Sequence, residues 1–215
     1  MLTPIGVGMK AEKRKNRIYC RFVKRALDII LSVMLLIFLW LPMLFIAVVI
    51  RSESRGGAIF RQKRVGRGGR VFVCYKFRSM HITTPQKSAT ELGDPGKYIT
   101  RVGGFLRRSS LDELPQLYNV LKGDMSLIGP RPLICEEKDI HRERMDRGVY
   151  SLRPGMTGMA QVSGRNTLAD GEKLDRDEYY LENVRLALDV KILLKTVLKV
   201  FSGEGVSVKD KSAEP

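Results

Sequence analysis

Cysteine and histidine are scarce in this chain, and that scarcity excludes several chemistries. The 215 residues include three cysteines, Cys20, Cys74 and Cys135, and two histidines, His81 and His141. The cysteines are odd in number and far apart, with no CxxC and no Cys/His spacing. Neither a disulfide framework nor a zinc site is predicted, and a reducing compartment follows for the soluble part. Each cysteine reads as a small buried or partly buried hydrophobe. No GxxxxGK[ST] phosphate loop occurs. Aromatic residues make up 7%, with one tryptophan, which is thin for a surface that stacks bases. Acidic residues are also short, 23 against 38 Lys and Arg, for a net charge of +15. That balance suggests an anionic partner (nucleic acid, an anionic membrane or a phosphorylated substrate) without choosing among them. The length suits one sizeable domain with its own core, and there is no internal repeat.

Apolar sequence is abundant in one place. Ile29 to Ile50, "IILSVMLLIFLWLPMLFIAVVI", carries no charge and is long enough for a transmembrane helix. It lies too far from the start for a signal-peptide core. Basic residues crowd both flanks. Lys10, Lys13, Arg14, Lys15, Arg17, Arg21, Lys24 and Arg25 precede it, and Arg51, Arg55, Arg61, Lys63, Arg64, Arg67, Arg70, Lys76 and Arg78 follow. Basic flanks favour the cytoplasm, so a single pass violates one of them and a re-entrant segment violates neither. Pro42 falls inside the run, where it removes a helical hydrogen bond and bends the helix. Ser32 is too distant to satisfy the freed carbonyl. The expectation is a re-entrant helix over residues 26–51, kinked at Pro42, with an ordinary span as the alternative. A basic segment, 1–25, precedes it; a cytosolic membrane-associated domain, 52–203, and a tail, 204–215, follow.

A second apolar helix is predicted at Leu186 to Phe201. Lys191, Lys195 and Lys199 recur every four residues on one face, and Gly203 is a plausible stop. A helix on an anionic membrane surface and a core helix with one solvated face both fit. Between these ends, Ala58–Arg64 and Val71–Arg78 read as strands joined by a turn at Gly66, Gly68 and Gly69. "HITTPQKSATELGDPGKYIT" reads as a mobile loop. Helical patterns cover Tyr98–Arg108, Leu111–Lys122 and Leu133–Arg147, the last a charged, solvated face. "RPGMTGMAQVSGRN" reads as a structured loop rather than a helix.

The acidic pair Asp112–Glu113 is the most suggestive local feature. Ser110-Leu111-Asp112-Glu113 fits a capping box, with Ser110 as N-cap, Asp112 at N2 and Glu113 at N3. Pro115 competes, because a helix restarting there would place proline at its first position. Both versions leave Asp112 at a helix start, where anions bind, with Arg107, Arg108 and Arg131 nearby to pair with phosphate. A carboxylate in that setting can be a nucleophile or a Mg²⁺ ligand. On residue types alone, a cap with surface arginines is the more economical account.

Taken together, "KRALDIILS", "YKFRSM", "SLDELPQLYNVLKGDMSLIGPRP", "RPGMTGMAQVSGRN" and "LDVKILLKTVLKV" resemble, almost end to end, the small monotopic phosphoglycosyl transferases of the bacterial sugar transferase family. The resemblance implies a mainly helical α/β fold: one re-entrant membrane helix, a small β-hairpin and membrane-surface amphipathic helices around a compact cytoplasmic catalytic domain. It implies transfer of a phosphosugar from a UDP-sugar to polyprenol phosphate, with release of UMP, at the start of bacterial glycoconjugate assembly. Asp112 matches the family nucleophile and Glu113 the second acid. Mg²⁺ is the implied cofactor, near Asp112. Arg107, Arg131 and Arg153 match phosphate-binding positions, and Gln161, Arg165 and Asn166 would line the nucleotide or sugar site. The implied location is the cytoplasmic face of the bacterial inner membrane, on anionic lipid, with no nucleic-acid partner and a homodimer left open. In the family a serine often precedes the membrane proline; here it is Leu41. The larger members add a multi-span N-terminal domain, and the single apolar run here corresponds to the minimal form. A membrane-anchored nucleic-acid-binding module or scaffold is the alternative in a different class.

Overall fold

The computed structural model describes residues 18–85, 95–164 and 168–202. A π-helical turn at Tyr19–Val23 leads into a helix, α1, at Lys24–Glu53. Helical structure continues through Pro42. At about 1.5 Å per residue, α1 is about 45 Å long. Its middle is bare of protein: Ile37, Phe38, Trp40, Leu41 and Phe45 are all exposed. Its two ends are held by the same body. Near the start, the Asp28 carboxylate accepts from Ser126 Oγ and the Leu127 amide, and Ser32 is buried. Near the finish, Met43, Ile46, Ala47 and Ile50 join Ala58, Phe77 and Leu106 in one apolar cluster. The buried Arg78 guanidinium then gathers the carbonyls of Ser54 and Arg55 at the helix exit, at 2.8 and 2.5 Å.

A hairpin follows as expected. Strands β1 (Ile59–Val65) and β2 (Val71–Phe77) pair antiparallel, and a tight turn at Arg67–Gly69 joins them. Cys74 and Phe77 point inward. Of the predicted loop after it, residues 86–94 lie outside the described residues; Met80 pairs with Ile99 across its base. Helix α2 is shorter than the pattern suggested, Arg101–Arg108, because the Thr100 side chain caps it by accepting from the Gly103 amide at 2.9 Å. The predicted helix over 111–122 divides into a 3-10 turn, Leu111–Glu113, and α3, Gln116–Lys122. Gly123, at φ 94°, ends α3 in the left-handed conformation that glycine adopts freely.

Two further expectations are corrected. The pattern at 133–147 is not one helix: Leu133–Ile134 is a strand, β4, against Val65 and Arg64 of β1, and the helix α4 is confined to Lys138–Asp146. Pro130 and Pro132 hold the preceding chain extended. Nor is α4 wholly solvated, since Arg144 is buried against Asp177 at 2.6 Å. The "RPGMTGMAQVSGRN" segment is not a loop throughout. Gly155–Thr157 forms β5, parallel to β3 (Ser126–Ile128), and Met159–Ser163 forms the short helix α5. The Gly129 amide donates to the Thr157 carbonyl, and the Gly155 amide to the Pro130 carbonyl, so the GPRP and RPGMTG segments are one interlocked unit.

Helix α6, Asp170–Glu182, went unforeseen because its charges obscure a narrow inward stripe of Leu174, Asp177 and Tyr180. Helix α7, Leu186–Ser202, closes the fold; its predicted stop, Gly203, lies outside the described residues. Leu188 and Ile192 enter the core with Tyr180, Val184 and Ile128. The rest of its apolar surface, including Val190, Leu194, Val197 and Leu198, is exposed. A core helix with only a charged face outward is therefore not what forms. The cysteines match expectation: Cys74 is buried, and Cys20 and Cys135 partly so.

Candidate active site around Asp112 and Glu113

The acidic pair sits at a sharp break in the chain. Ser109 closes α2, and Ser110 turns back at φ 57°, a left-handed conformation that costs a non-glycine residue energy. Asp112 and Glu113 occupy the single 3-10 turn that follows. The predicted capping box does not form, because Ser110 makes no side-chain cap. The helix instead restarts at the proline, with Pro115 in the cap position. Proline has no N–H to satisfy there.

Freed from capping, the two carboxylates serve different neighbours. Glu113 accepts from Lys76 Nζ at 2.7 Å and lies 3.9 Å from the Arg131 guanidinium. Lys76 comes from β2, in the "YKFRSM" segment. Arg131 comes from the GPRP turn. Asp112 is buried, 9% exposed, beside Arg107. Burial pulls the Arg107 guanidinium below its ordinary pKa, while the Asp112 carboxylate pulls it back up. Arg107 is aimed by Ser79, whose Oγ accepts from its Nε at 2.8 Å. Two carboxylates and three cations thus gather around one turn, Arg107 from the adjoining helix and Lys76 and Arg131 from segments remote in sequence.

The scaffold beneath the pair is rigid. Asn119 of α3, fully buried, accepts from the Tyr75 amide at 3.0 Å and donates to the Val73 carbonyl at 2.7 Å. It locks α3 to β2, and so fixes the Asp112 turn relative to Lys76. The far end of α3 is held by Arg25, which donates to the Val120 and Leu121 carbonyls. A cation there also complements the helix dipole.

Beside Glu113 opens a half-open cavity lined also by Arg108, Ser110, Thr157, Gln161, Thr196 and Lys199. Asp112 is not among its lining residues. The structure therefore brings Asp112, Glu113, Arg107 and Arg131 together, with Gln161 on the adjoining wall. Arg153 is elsewhere: its Nε donates to the Gly123 carbonyl at the far end of α3, and it lines a second cavity with Lys24, Arg25 and Arg67. Burial, and then those neighbouring arginines, lower its pKa. Arg165 and Asn166 lie outside the described residues. Lys76, Ser79, Thr157 and Thr196 were not singled out from the sequence as site residues, and Lys199 was marked only as part of a basic helical stripe. All of them lie in quoted segments: Lys76 and Ser79 in "YKFRSM", Thr157 in "RPGMTGMAQVSGRN", Thr196 and Lys199 in "LDVKILLKTVLKV".

Among the described residues no three His, Cys, Asp or Glu side chains cluster in a way that would hold a metal. Mg²⁺ commonly takes one or two carboxylates and completes its shell with substrate phosphates and water. Asp112, with Glu113 next to it, offers that kind of partial site.

The sequence profile of the bacterial sugar transferase family matches residues 19–203. The chain belongs to the bacterial sugar transferase family. Among its relatives, the undecaprenyl-phosphate galactose phosphotransferase of Salmonella typhimurium is 41% identical over 201 residues, covering 86% of this chain and 42% of that protein. The UDP-N-acetylgalactosamine-undecaprenyl-phosphate N-acetylgalactosaminephosphotransferase of Aeromonas hydrophila is 42% identical over 193 residues, 86% of this chain and 45% of that protein. The uncharacterized sugar transferase EpsL of Bacillus subtilis is 39% identical over 184 residues, 86% of this chain and 90% of its own length. The chain thus spans less than half of the first two relatives and nearly all of the third. The match takes in both α1 and α7 as well as the acidic pair, so membership rests on the whole described fold rather than on one motif.

Proposed function

We propose that this family member transfers a sugar phosphate from a UDP-sugar to a polyprenol phosphate, releasing UMP. The observation that carries the proposal is the Asp112–Glu113 pair set among Arg107, Lys76 and Arg131. Phosphoryl transfer depends chiefly on positioning and on neutralising phosphate charge, and this constellation suits both. A carboxylate oxygen of Asp112 attacks the sugar-proximal phosphorus. The bond from that phosphorus to the bridging oxygen breaks, and UMP departs with the electron pair. The phosphosugar remains on Asp112 as a mixed anhydride. A phosphate oxygen of the polyprenol phosphate then attacks the same phosphorus, and the Asp112 carboxylate leaves. The product is a polyprenyl diphosphate sugar.

The other residues divide the work. Arg107 and Arg131 hold phosphate oxygens. Lys76 and Arg131 orient Glu113, which positions the incoming acceptor. Mg²⁺ held by Asp112 would supply further charge neutralisation on the diphosphate. The burial of Asp112 limits water, which would otherwise hydrolyse the acyl phosphate.

The same reading includes the membrane. Both ends of α1 dock on one body, while its bare apolar middle projects from it. That arrangement supports a re-entrant helix that enters and leaves at the cytoplasmic face of the inner membrane, as the basic flanks favour. The exposed apolar surface of α7 would lie on the same leaflet, where a polyprenol phosphate arrives.

Purified protein, Mg²⁺, undecaprenyl phosphate and a panel of UDP-sugars test the proposal. UMP is the expected nucleotide product, and the sugar that supports turnover identifies the donor. Release of UDP would refute the mechanism. Asp112→Asn should abolish labelling of the protein by a UDP-sugar carrying ³²P in its sugar-proximal phosphate; full labelling would exclude Asp112 as nucleophile.

A further inference from the structure

Helix α7 contributes to the cavity beside Glu113 as well as to the exposed apolar surface. Along its inner face Leu188 and Ile192 are buried in the core, and the same face ends in Thr196 and Lys199, both lining the cavity beside Glu113. Thr196 fixes that end. Its hydroxyl bonds Thr157 of β5 at 2.7 Å and donates to the Ile192 carbonyl at 2.8 Å. Less than one turn further on, Lys199 is half-buried on the cavity wall, while Lys191 and Lys195 are exposed outside it. The residues around Lys199 that face outward, Leu194, Val197 and Leu198, are apolar and exposed.

A cation at the inner rim of a helix whose outer face is greasy suits one kind of ligand: a phosphate monoester on a long apolar chain. The chain would remain against the outer face, and the phosphate would turn inward. The titratable residues lining the cavity are Arg108, Glu113 and Lys199, two basic and one acidic, so the cavity favours an anion. A nucleotide has no apolar chain to match the exposed leucines and valine. We propose that Lys199 binds the phosphate of the lipid acceptor and sets it on the Glu113 side of the cavity. This rests on the phosphosugar-transfer reading above. It makes α7 the element that distinguishes the second substrate from the first.

The test uses the full chain in nonionic micelles, where membrane charge plays no part. Equilibrium binding of radiolabelled undecaprenyl phosphate is compared in wild type, Lys199→Met, Lys199→Arg and Lys195→Met. The expected Kd rises about tenfold or more in Lys199→Met, as loss of a charge-assisted phosphate contact implies, and recovers most of the loss in Lys199→Arg. In parallel, KM for the acceptor rises by a larger factor than acceptor-independent exchange of labelled UMP into the UDP-sugar falls, and an unchanged Tm reports correct folding. Unchanged acceptor binding in Lys199→Met would overturn the proposal. So would impaired exchange with intact acceptor binding, which would assign Lys199 to the nucleotide sugar. An equal loss in Lys195→Met would also overturn it, because bulk charge would then be the cause. The binding assay requires no turnover, so failure of UMP exchange in wild type would refute the transfer reading independently of Lys199. If Lys199→Met does not fold, Lys199→Gln provides the same comparison.

Discussion

Two adjacent glycines in α2 should respond oppositely to the same substitution. Gly103 and Gly104 are both buried, and replacing either by alanine in a helix gains about 0.5–1 kcal/mol of backbone propensity. Their surroundings decide the sign. A Cβ on Gly103 would sit 2.7 Å from the Ser79 Cα and 2.6 Å from the Ser79 carbonyl carbon, and closer still to its oxygen. Carbon–carbon contact is comfortable at about 3.5–4.0 Å, so the Ser79 backbone must retreat by roughly 1 Å. Backbone cannot swing aside as a side chain can, and overpacking costs about 1–3 kcal/mol. The retreat also strains the Thr100 amide bond to the Ser79 carbonyl, at 3.2 Å, and the Arg107 bond to Ser79 Oγ, at 2.8 Å. A Cβ on Gly104 meets nothing nearer than Arg108 Nη1 and Ile99 Cγ2, each at 3.9 Å, which is ordinary contact. Gly103→Ala should therefore lose about 1–2 kcal/mol net. Gly104→Ala should gain about 0.5–1 kcal/mol. For a domain of this size 1 kcal/mol corresponds to about 2–4 °C in Tm, so thermal unfolding in detergent separates the two by several degrees. Gly103→Ala should also lose more transferase activity than its stability explains, because Ser79 aims Arg107. Shifts of the same sign in both variants, or a Gly103→Ala enzyme with intact activity, would refute the reasoning.

Asp189 accepts from Tyr19, Lys24 and Tyr180, at 2.6, 2.7 and 2.6 Å. Asp189→Leu leaves the Lys24 charge and the Tyr19 hydroxyl without this acceptor and should cost about 3–5 kcal/mol, against about 1 kcal/mol for Tyr180→Phe, whose hydroxyl also reaches the Ile128 carbonyl; equal losses in thermal unfolding would contradict this. Burial, opposed by Arg144, raises the Asp177 carboxyl to about 6. The folded protein then holds that proton more tightly than the unfolded chain, so the contribution of Asp177 to stability is full below pH 4 and falls as pH climbs through 6. Asp177→Asn should flatten that part of the profile, and a difference curve level between pH 4 and 7 would show the assignment to be wrong. For α1, an impermeant maleimide added outside spheroplasts should label neither Cys20 nor a cysteine placed at Arg55, in a background lacking Cys74 and Cys135; labelling of just one would establish a full span.

Much of the layout was legible because it depends on local chemistry. An uncharged run of 22 residues from Ile29 to Ile50 has few fates, and a basic, glycine-bearing turn between β-rich segments makes a hairpin. The Asp112–Glu113 pair was visible, but its environment was not. Local pattern suggested a capping box, and only the fold shows Glu113 turned away to Lys76 and Arg131, which are 37 residues before it and 18 after. Arg153, matched to phosphate binding by motif, stands apart from the acidic pair, its Nε donating to the Gly123 carbonyl at the far end of α3. Helix α6 escaped notice because Asp177 is buried only by virtue of Arg144, a pairing between two charged segments that each look solvated.

The sequence by itself determined an apolar helix with basic flanks, a hairpin, an acidic pair beside arginines and membership in a family. Those follow from residue type and spacing along the chain, where neighbours are fixed by covalent connection. Only the tertiary structure decided which cations face Glu113, that both ends of α1 meet one body, and that α7 turns Lys199 toward the cavity beside Glu113 while Leu194 and Leu198 stay exposed. Those depend on contacts between segments far apart in sequence, and such contacts exist only once burial and hydrogen bonding have placed every segment at once.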